Sequence, residues 1–138
     1  MKTQAMLGVE IPEGDPLRLL ETLDAGLPLQ SLKRFKEATG LADEDMATLL
    51  KIGGRTLTRV KGSRARRLPA DLSDRLYAVA SIYALAESVF GAHDAAIGWM
   101  SEPQFALGDH SPLELLSTEL GRGQVRQLLN QIEHGLLA

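Results

Sequence analysis

The sequence contains no cysteine and few aromatic residues. The lack of cysteine excludes disulfide scaffolds, thiolate metal sites and cysteine nucleophiles. Aromatic residues make up only 4% of the 138 residues, so a core must be built mainly from aliphatic side chains. No apolar stretch approaches the roughly 20 residues that a membrane-spanning helix needs, and residues 1–14 lack the apolar run of a signal peptide. We therefore expect a cytoplasmic protein without a membrane segment.

The groups needed for catalysis are also scarce. The three histidines, His93, His110 and His134, lie in separate segments without the paired spacing of metal ligands. The sequence has no glycine-rich phosphate loop and no serine in a nucleophile elbow. These absences predict a protein that is not an enzyme, with no catalytic residue, metal site or cofactor.

Positive charge is concentrated in one short segment. The formal net charge is −3, yet residues 51–67 (KIGGRTLTRVKGSRARR) hold seven of the fifteen basic residues and no acidic residue. The rest of the chain has eight basic and eighteen acidic side chains, a net of −10. This asymmetry predicts one anion-binding patch on an otherwise acidic protein.

Apolar residues recur with helical spacing along most of the chain, and no sustained strand-like alternation is present. Asp15 and Pro16 are typical of a helix start, and Gly26 and Gly40 are typical of helix ends. Leu17, Leu20 and Leu23 would share one face of that first helix. The sequence predicts an all-α fold, with residues 1–14 as a flexible arm, residues 15–70 as a helix-turn-helix domain and residues 71–138 as a second helical domain, to which the family resemblance described below assigns dimerisation and partner binding. Predicted helices are 16–26, 28–40, 43–50, about 55–61, 71–90, one through 97–100, 112–120 and 122–136.

The segment from Asp43 to Lys61 has the pattern of a helix-turn-helix. Ala47 is small where two short helices must cross, and Leu57 and Val60 would face inward. The second helix would then carry outward donors, and the arginines after it would attract phosphates in a salt-dependent way. The alternative is a solvated basic face on an ordinary helix pair. Because the remainder is acidic, specific DNA binding would need a dimer or a larger assembly that brings two basic patches onto one duplex. The candidate DNA-binding residues are Arg55, Thr56, Thr58, Arg59, Lys61, Arg64, Arg66 and Arg67.

The segment MSEPQFALGDHSPLELL, residues 100–116, is rich in turn and helix-start signals. Ser111, Pro112 and Glu114 form a capping-box sequence with proline at the tolerated first position. Pro103 ends the preceding helix and Gly108 permits a positive φ, so residues 101–110 should form a defined surface loop. The apolar residues around this loop and on the last helix belong either to the core or to a surface covered by another protein.

These two regions resemble the Xre/ParS/MbcA-type antitoxins of type II toxin-antitoxin modules, whose toxins carry the RES domain. The resemblance covers about residues 30–138. The stretch GRTLTRVKG is similar to the helix-turn-helix of that family, and residues 95–138 look like its toxin-binding domain. The residues that match the family pattern of the second region are Trp99, Pro103, Leu107, Gly108, Pro112, Leu113, Ile132, Glu133 and Gly135. Asp109 and His110 depart from the family, in which an arginine or lysine is common there.

The resemblance implies an Xre-like helix-turn-helix unit followed by a helical toxin-binding domain. It implies a cognate RES-domain toxin that consumes NAD or transfers ADP-ribose from it, inhibited by steric block of its NAD pocket. It further implies a homodimer and, in some members, repression of the operon through operator DNA. The toxin-binding candidates are the nine matching residues together with Met100, Phe105 and Leu128. The alternative function is a dimeric helix-turn-helix transcriptional repressor without a toxin partner.

Overall fold

A computed structural model describes residues 3–135. Every regular element in this range is helical, which confirms the all-α prediction. None of the helices in the described range is long and apolar enough to cross a membrane. The α-helices are α1 (Thr3–Leu7), α2 (Pro16–Ala25), α3 (Gln30–Thr39), α4 (Asp43–Leu49), α5 (Gly54–Lys61), α6 (Ala70–Phe90), α7 (His93–Ser101) and α8 (Glu119–Glu133). Two short 3₁₀ helices, Phe105–Leu107 and Pro112–Leu115, lie between α7 and α8.

The described residues form two compact units that divide within α6, between Ala80 and Ser81. The sequence predicts this boundary ten residues earlier, between residues 70 and 71. The first unit comprises residues 3–80 and the second begins at Ser81. Helix α6 contributes residues to both units, because it is one uninterrupted helix of 21 residues.

The beginning of the chain corrects the expectation of a flexible arm. Helix α1 packs against α3, and the side chains of Met6 and Leu7 are buried. Ile11, which follows α1, is also buried, and its backbone N–H donates to the side-chain oxygen of Gln4. Burial of three apolar side chains offsets the entropy lost on ordering this segment. The segment is therefore part of the core of the first unit.

Helix α2 begins and ends as predicted, but its apolar face is only partly buried. Asp15 caps it by accepting from the N–H of Arg18 at 3.3 Å, and Gly26 follows its last residue. Leu23 is buried, whereas Leu17 is 71% and Leu20 59% exposed. The leucine spacing thus identified the helix correctly but did not identify which leucines enter the core.

The segment before α8 also differs from the sequence prediction. Instead of a helix over 112–120, Pro112–Leu115 forms a single 3₁₀ turn, and α8 starts at Glu119 rather than at residue 122. The reason is a cap that the sequence reading missed, since the Thr118 hydroxyl accepts from the N–H of Gly121 at 3.0 Å. Residue 136, the last of the predicted final helix, lies outside the described part of the chain.

Candidate functional site

The helix-turn-helix in the first unit is formed by α4 and α5, which pack against each other. The N–H of Ile52 donates to the carbonyl of Ala47 at 3.0 Å, and this bond closes the turn. Lys51 takes a positive φ of 55° here, although the neighbouring glycines do not. Ala47 is buried, as its small size predicted. The expected helix pair is therefore confirmed, with the left-handed residue two positions before the first glycine of the turn, Gly53.

Helix α5 buries one face and exposes the other. Leu57 is buried and Val60 half-buried, so the predicted inward face is present. Thr56 is half-buried, and the Thr58 hydroxyl donates to the carbonyl of Gly54 at 3.0 Å. The side chains that remain exposed on α5 and in the segment after it include six of the predicted DNA contacts, namely Arg55, Arg59, Lys61, Arg64, Arg66 and Arg67.

Two of these six cations already have a partner within the first unit. Lys61 Nζ lies 2.8 Å from Asp43 Oδ2, and an Arg67 guanidinium nitrogen donates to the carbonyl of Gly26 at 2.9 Å. No ion pair or side-chain hydrogen bond within residues 3–135 involves the other four, Arg55, Arg59, Arg64 and Arg66. Those four are the cations best placed to meet a phosphate backbone.

The basic segment after α5 is held against the start of α3. The N–H of Leu29 donates to the carbonyl of Arg66, and the N–H of Leu68 donates to that of Leu27, at 3.0 and 2.8 Å. Leu27 and Leu68 are both buried. The backbone that carries Arg64, Arg66 and Arg67 is therefore held in place at its C-terminal end.

Asp43 links two lysines. The sequence predicts it as the cap of α4, but it is the first residue of that helix, and Ala42 occupies the N-cap position. Its carboxylate receives hydrogen bonds from Lys36 Nζ at 2.6 Å and from Lys61 Nζ at 2.8 Å. These two bonds, that of Lys36 first, lower the pKa of Asp43 below its ordinary value. The carboxylate therefore joins α3 to both helices of the helix-turn-helix.

The lowered pKa of Asp43 predicts the pH at which this link is lost. A carboxyl group whose pKa is lower in the folded protein adds stability above its unfolded value of about 3.9, and this is lost as pH falls through the folded pKa. An NMR titration should therefore place the midpoint of Asp43 below that value. In the double variant Lys36→Gln plus Lys61→Gln the midpoint should rise, whereas Lys51→Gln, which does not contact Asp43, should leave it unchanged. An equal midpoint in all three proteins would contradict the assignment.

In the second unit, the loop between α7 and the Pro112–Leu115 turn is closed by backbone hydrogen bonds. The N–H of Gln104 donates to the carbonyl of His110, and the N–H of Asp109 donates to that of Gln104, both at 3.0 Å. Gly108 and Asp109 take φ values of 66° and 65°. The buried side chain of Leu107 anchors the loop from within. The prediction of a defined loop is confirmed.

The capping box is also present. Ser111 Oγ accepts from the N–H of Glu114, and a carboxylate oxygen of Glu114 accepts from the N–H of Ser111, each at 3.3 Å. The same carboxylate oxygen lies 3.0 Å from Nδ1 of His110. The capping-box residues Ser111 and Glu114, together with Pro112 between them, thus fix the end of the loop.

The predicted toxin-binding residues fall into three groups by burial. Met100, Leu107, Pro112 and Leu128 are buried, so their side chains support the surface from inside the unit. The half-buried residues are Trp99, Leu113 and Ile132, and the exposed ones are Pro103, Phe105, Gly108, Glu133 and Gly135. The accessible candidates thus come chiefly from the loop and the end of α8.

Two features of this surface were not predicted. The ring of Trp99 packs against that of Phe90, with centroids 5.3 Å apart, which orients the tryptophan. Leu120, in the first turn of α8, is 78% exposed. Thr118 indicates where α8 begins but not which residues of its first turn face solvent, since Gly121 in the same turn is buried, so the exposure of Leu120 had no signal in the local sequence.

Comparison with known proteins assigns a family to each unit. Residues 18–81 match the model of the antitoxin Xre-like helix-turn-helix domain. Residues 85–135 match that of the antitoxin Xre/MbcA/ParS C-terminal toxin-binding domain. The two matches therefore include both the α4–α5 pair and the loop that carries Phe105.

Relatives support the same assignment. A protein named Antitoxin Xre from Pseudomonas putida is 40% identical over 72 residues, which is 52% of this chain but only 45% of that protein. Antitoxin Xre from Yersinia enterocolitica is 27% identical over 99% of this chain and 93% of its own length. A protein from Sphingobium named Prs ADP-ribosylating antitoxin is 26% identical over 89% of this chain and 82% of its own length. With both domain models matched in the expected order, the chain belongs to the Xre/MbcA/ParS-type antitoxin family.

Proposed function

We propose that this chain is the antitoxin of a type II module whose toxin carries a RES domain and consumes NAD or transfers ADP-ribose from it. The C-terminal unit would cover the NAD pocket of the toxin and inhibit it sterically. The observation that carries the proposal is the match of residues 85–135 to a toxin-binding domain, combined with a loop that holds apolar side chains in solvent. The name of the Sphingobium relative, which refers to ADP-ribosylation, is consistent with this chemistry.

Co-expression with the adjacent reading frame tests this proposal. The expected result is that the neighbouring protein stops growth when expressed alone, that this chain restores growth, and that the two copurify. The purified neighbour should degrade NAD or transfer ADP-ribose from it, and addition of this chain should stop that reaction. A neighbour that is harmless, or that inhibits growth without acting on NAD, would contradict the RES assignment.

We further propose that the chain acts in the cytoplasm as a homodimer whose two α5 helices bind operator DNA and repress the operon. The first unit presents four arginines without an ion pair among the described residues, and two of them lie on α5. A net charge of −3 opposes non-specific binding by a single copy, so two recognition helices on one duplex would be needed for useful affinity.

The double variant Arg55→Ala plus Arg59→Ala separates the two activities. Loss of two phosphate or base contacts should weaken operator binding about 100-fold and reduce the slope of log affinity against log salt by about 2. Rescue from the toxin should survive, because both residues lie in the other unit. Gel-shift titrations at several salt concentrations and the growth assay provide the readouts.

A matched control is Arg18→Ala plus Arg126→Ala, which removes two exposed arginines outside α5. This control should retain operator binding within a few-fold. If the Arg55 and Arg59 variant instead loses every biological effect, the alternative applies and the chain is a dimeric repressor without a toxin partner.

A further inference from the structure

The large apolar side chain that is most exposed in the described chain is Phe105. It is 91% exposed, compared with 78% for Leu120. Phe105 begins the first 3₁₀ helix, whose next turn is fixed by the left-handed residues Gly108 and Asp109 and by the buried Leu107. The ring of Phe105 therefore points into solvent from a backbone that is held in place. This exposure is unfavourable, because burial of a phenylalanine would remove about 150–250 Å² from water. A backbone arranged in this way is typical of an interface anchor.

The chain segment that carries this ring has charged residues of one sign. Residues 76–121 contain no lysine or arginine and six acidic residues. Four of the six are exposed carboxylates in or beside the loop and the turn that follows it, Glu102, Asp109, Glu114 and Glu119. His110 lies against Glu114 in this loop. The nearest basic residue that follows is Arg122 on α8, which donates to the carbonyl of Leu116 at 3.1 Å. The loop that carries Phe105 and the turn after it thus present four exposed carboxylates and no lysine or arginine of their own.

We infer that Phe105 is the central anchor of the antitoxin in the toxin complex, and that it enters an apolar pocket of the toxin whose rim is formed by lysine and arginine. This inference rests on the proposed function and adds the chemistry of the recognition. The aromatic ring supplies most of the affinity, because central aromatic anchors do so in protein interfaces. The four carboxylates steer the encounter and fix its orientation. A binding site for an anionic dinucleotide also requires lysine or arginine at its rim, because these cations pair with phosphate groups.

A second copy of the chain is a poorer occupant. The first unit has a groove of about 550 Å³ with an apolar floor that includes Leu32 and Met46. Of the three lysines that line it, Lys36 and Lys61 are already paired with Asp43, and Glu37 adds a negative charge. Lys33 is therefore the one lysine of the groove without an ion pair among the described residues, against four carboxylates in the acidic loop.

Binding of the full-length chain to its purified toxin tests the inference. Phe105→Ala should weaken binding at least about 30-fold through faster dissociation. The thermal midpoint should not change, because the ring makes little contact within the chain. The matched control is Leu17→Ala, which removes an apolar side chain of 71% exposure from the first unit and should leave the toxin affinity unchanged.

The charge component is tested with the quadruple variant Glu102→Gln, Asp109→Asn, Glu114→Gln and Glu119→Gln. Glutamine preserves the capping box and asparagine tolerates the positive φ. Association with the toxin should slow about 10-fold at low salt and lose its dependence on ionic strength. Neutralising Glu10, Glu13, Glu21 and Asp24, four exposed carboxylates of the first unit, provides the control and should change neither quantity.

The outcomes distinguish this inference from the proposed function. If the toxin binds the Phe105→Ala protein within about threefold of the parent affinity, the inference is wrong while the antitoxin function stands. If the parent chain does not bind the toxin, both are wrong. If Phe105→Ala abolishes self-association of the chain, measured by sedimentation, but not toxin binding, the ring serves a second copy and the inference is again overturned.

Discussion

Replacement of Gly121 by alanine is expected to lower the free energy of unfolding of the C-terminal unit by about 3 kcal/mol. A Cβ atom at this position would lie 1.9 Å from the carbonyl oxygen of Leu115 and 2.9 Å from its carbonyl carbon. Both are backbone atoms, so the contact cannot be relieved by rotation of a side chain. The first turn of α8 and the end of the Pro112–Leu115 turn would have to separate. Thermal denaturation should show a midpoint about 10 °C lower, and toxin binding should weaken because the loop rests on the same turn.

Gly123→Ala is the matched control, since it adds the same methyl group two residues later in the same helix. No atom lies within 4 Å of a Cβ built at Gly123. Alanine in a helix interior is favoured over glycine by about 0.5–1 kcal/mol, so this variant should be slightly more stable than the parent. Equal destabilisation by both substitutions would show that the close approach at Leu115 is not responsible.

Features that depend on neighbouring residues in the sequence could be predicted. Asp15 with Pro16 gave the start of α2, and Ser111 with Glu114 gave the capping box, because each is a hydrogen bond that closes over about three residues. Gly40 gave the end of α3, where the chain takes a φ of 71°. The helix-turn-helix could be located for the same reason, since its turn is closed within a few residues.

Features that depend on packing between distant segments could not be predicted. Leu17 and Leu20 have the same spacing relative to Leu23 as core residues do, and only the arrangement of the other helices decides that they remain exposed. Met6 and Leu7 appear in too short a helix to stand out, and their burial depends on α3. Glycine is likewise needed at position 121 because the backbone of Leu115 passes close to it, and no local sequence pattern indicates this approach.

The same distinction applies to the candidate sites. Charge and helical period identified the outward face of α5, but the pairing of Lys61 with Asp43 spans 18 residues and that of Arg67 with Gly26 spans 41. The family pattern around the loop is a mixture of buried and exposed positions. Met100 and Leu128 shape the unit from inside, whereas Phe105 and Pro103 face solvent. Sequence similarity alone does not separate these two roles.

Replacement of Gly26 by alanine is expected to destabilise the first unit by about 3–4 kcal/mol. Gly26 has a φ of 94°, and a Cβ there would lie 2.2 Å from the carbonyl oxygen of Leu68. The contact is close because residues 27–29, which follow Gly26 directly, pair with residues 66–68 through backbone hydrogen bonds. The same pairing holds the basic segment in place, so the variant should lose operator affinity as well as stability. Chemical denaturation and gel-shift titration measure the two effects.

Gly40→Ala separates backbone strain from the collision. Gly40 also has a positive φ, 71°, but no atom lies within 4 Å of a Cβ built there. Alanine at Gly40 should therefore show only the cost of the left-handed conformation, about 1 kcal/mol, with operator affinity at the level of the parent. If Gly26→Ala is no more destabilising than Gly40→Ala, the two segments can move apart at little cost. The basic segment would then be mobile, and its arginines would reach phosphates by rearranging rather than from a fixed position.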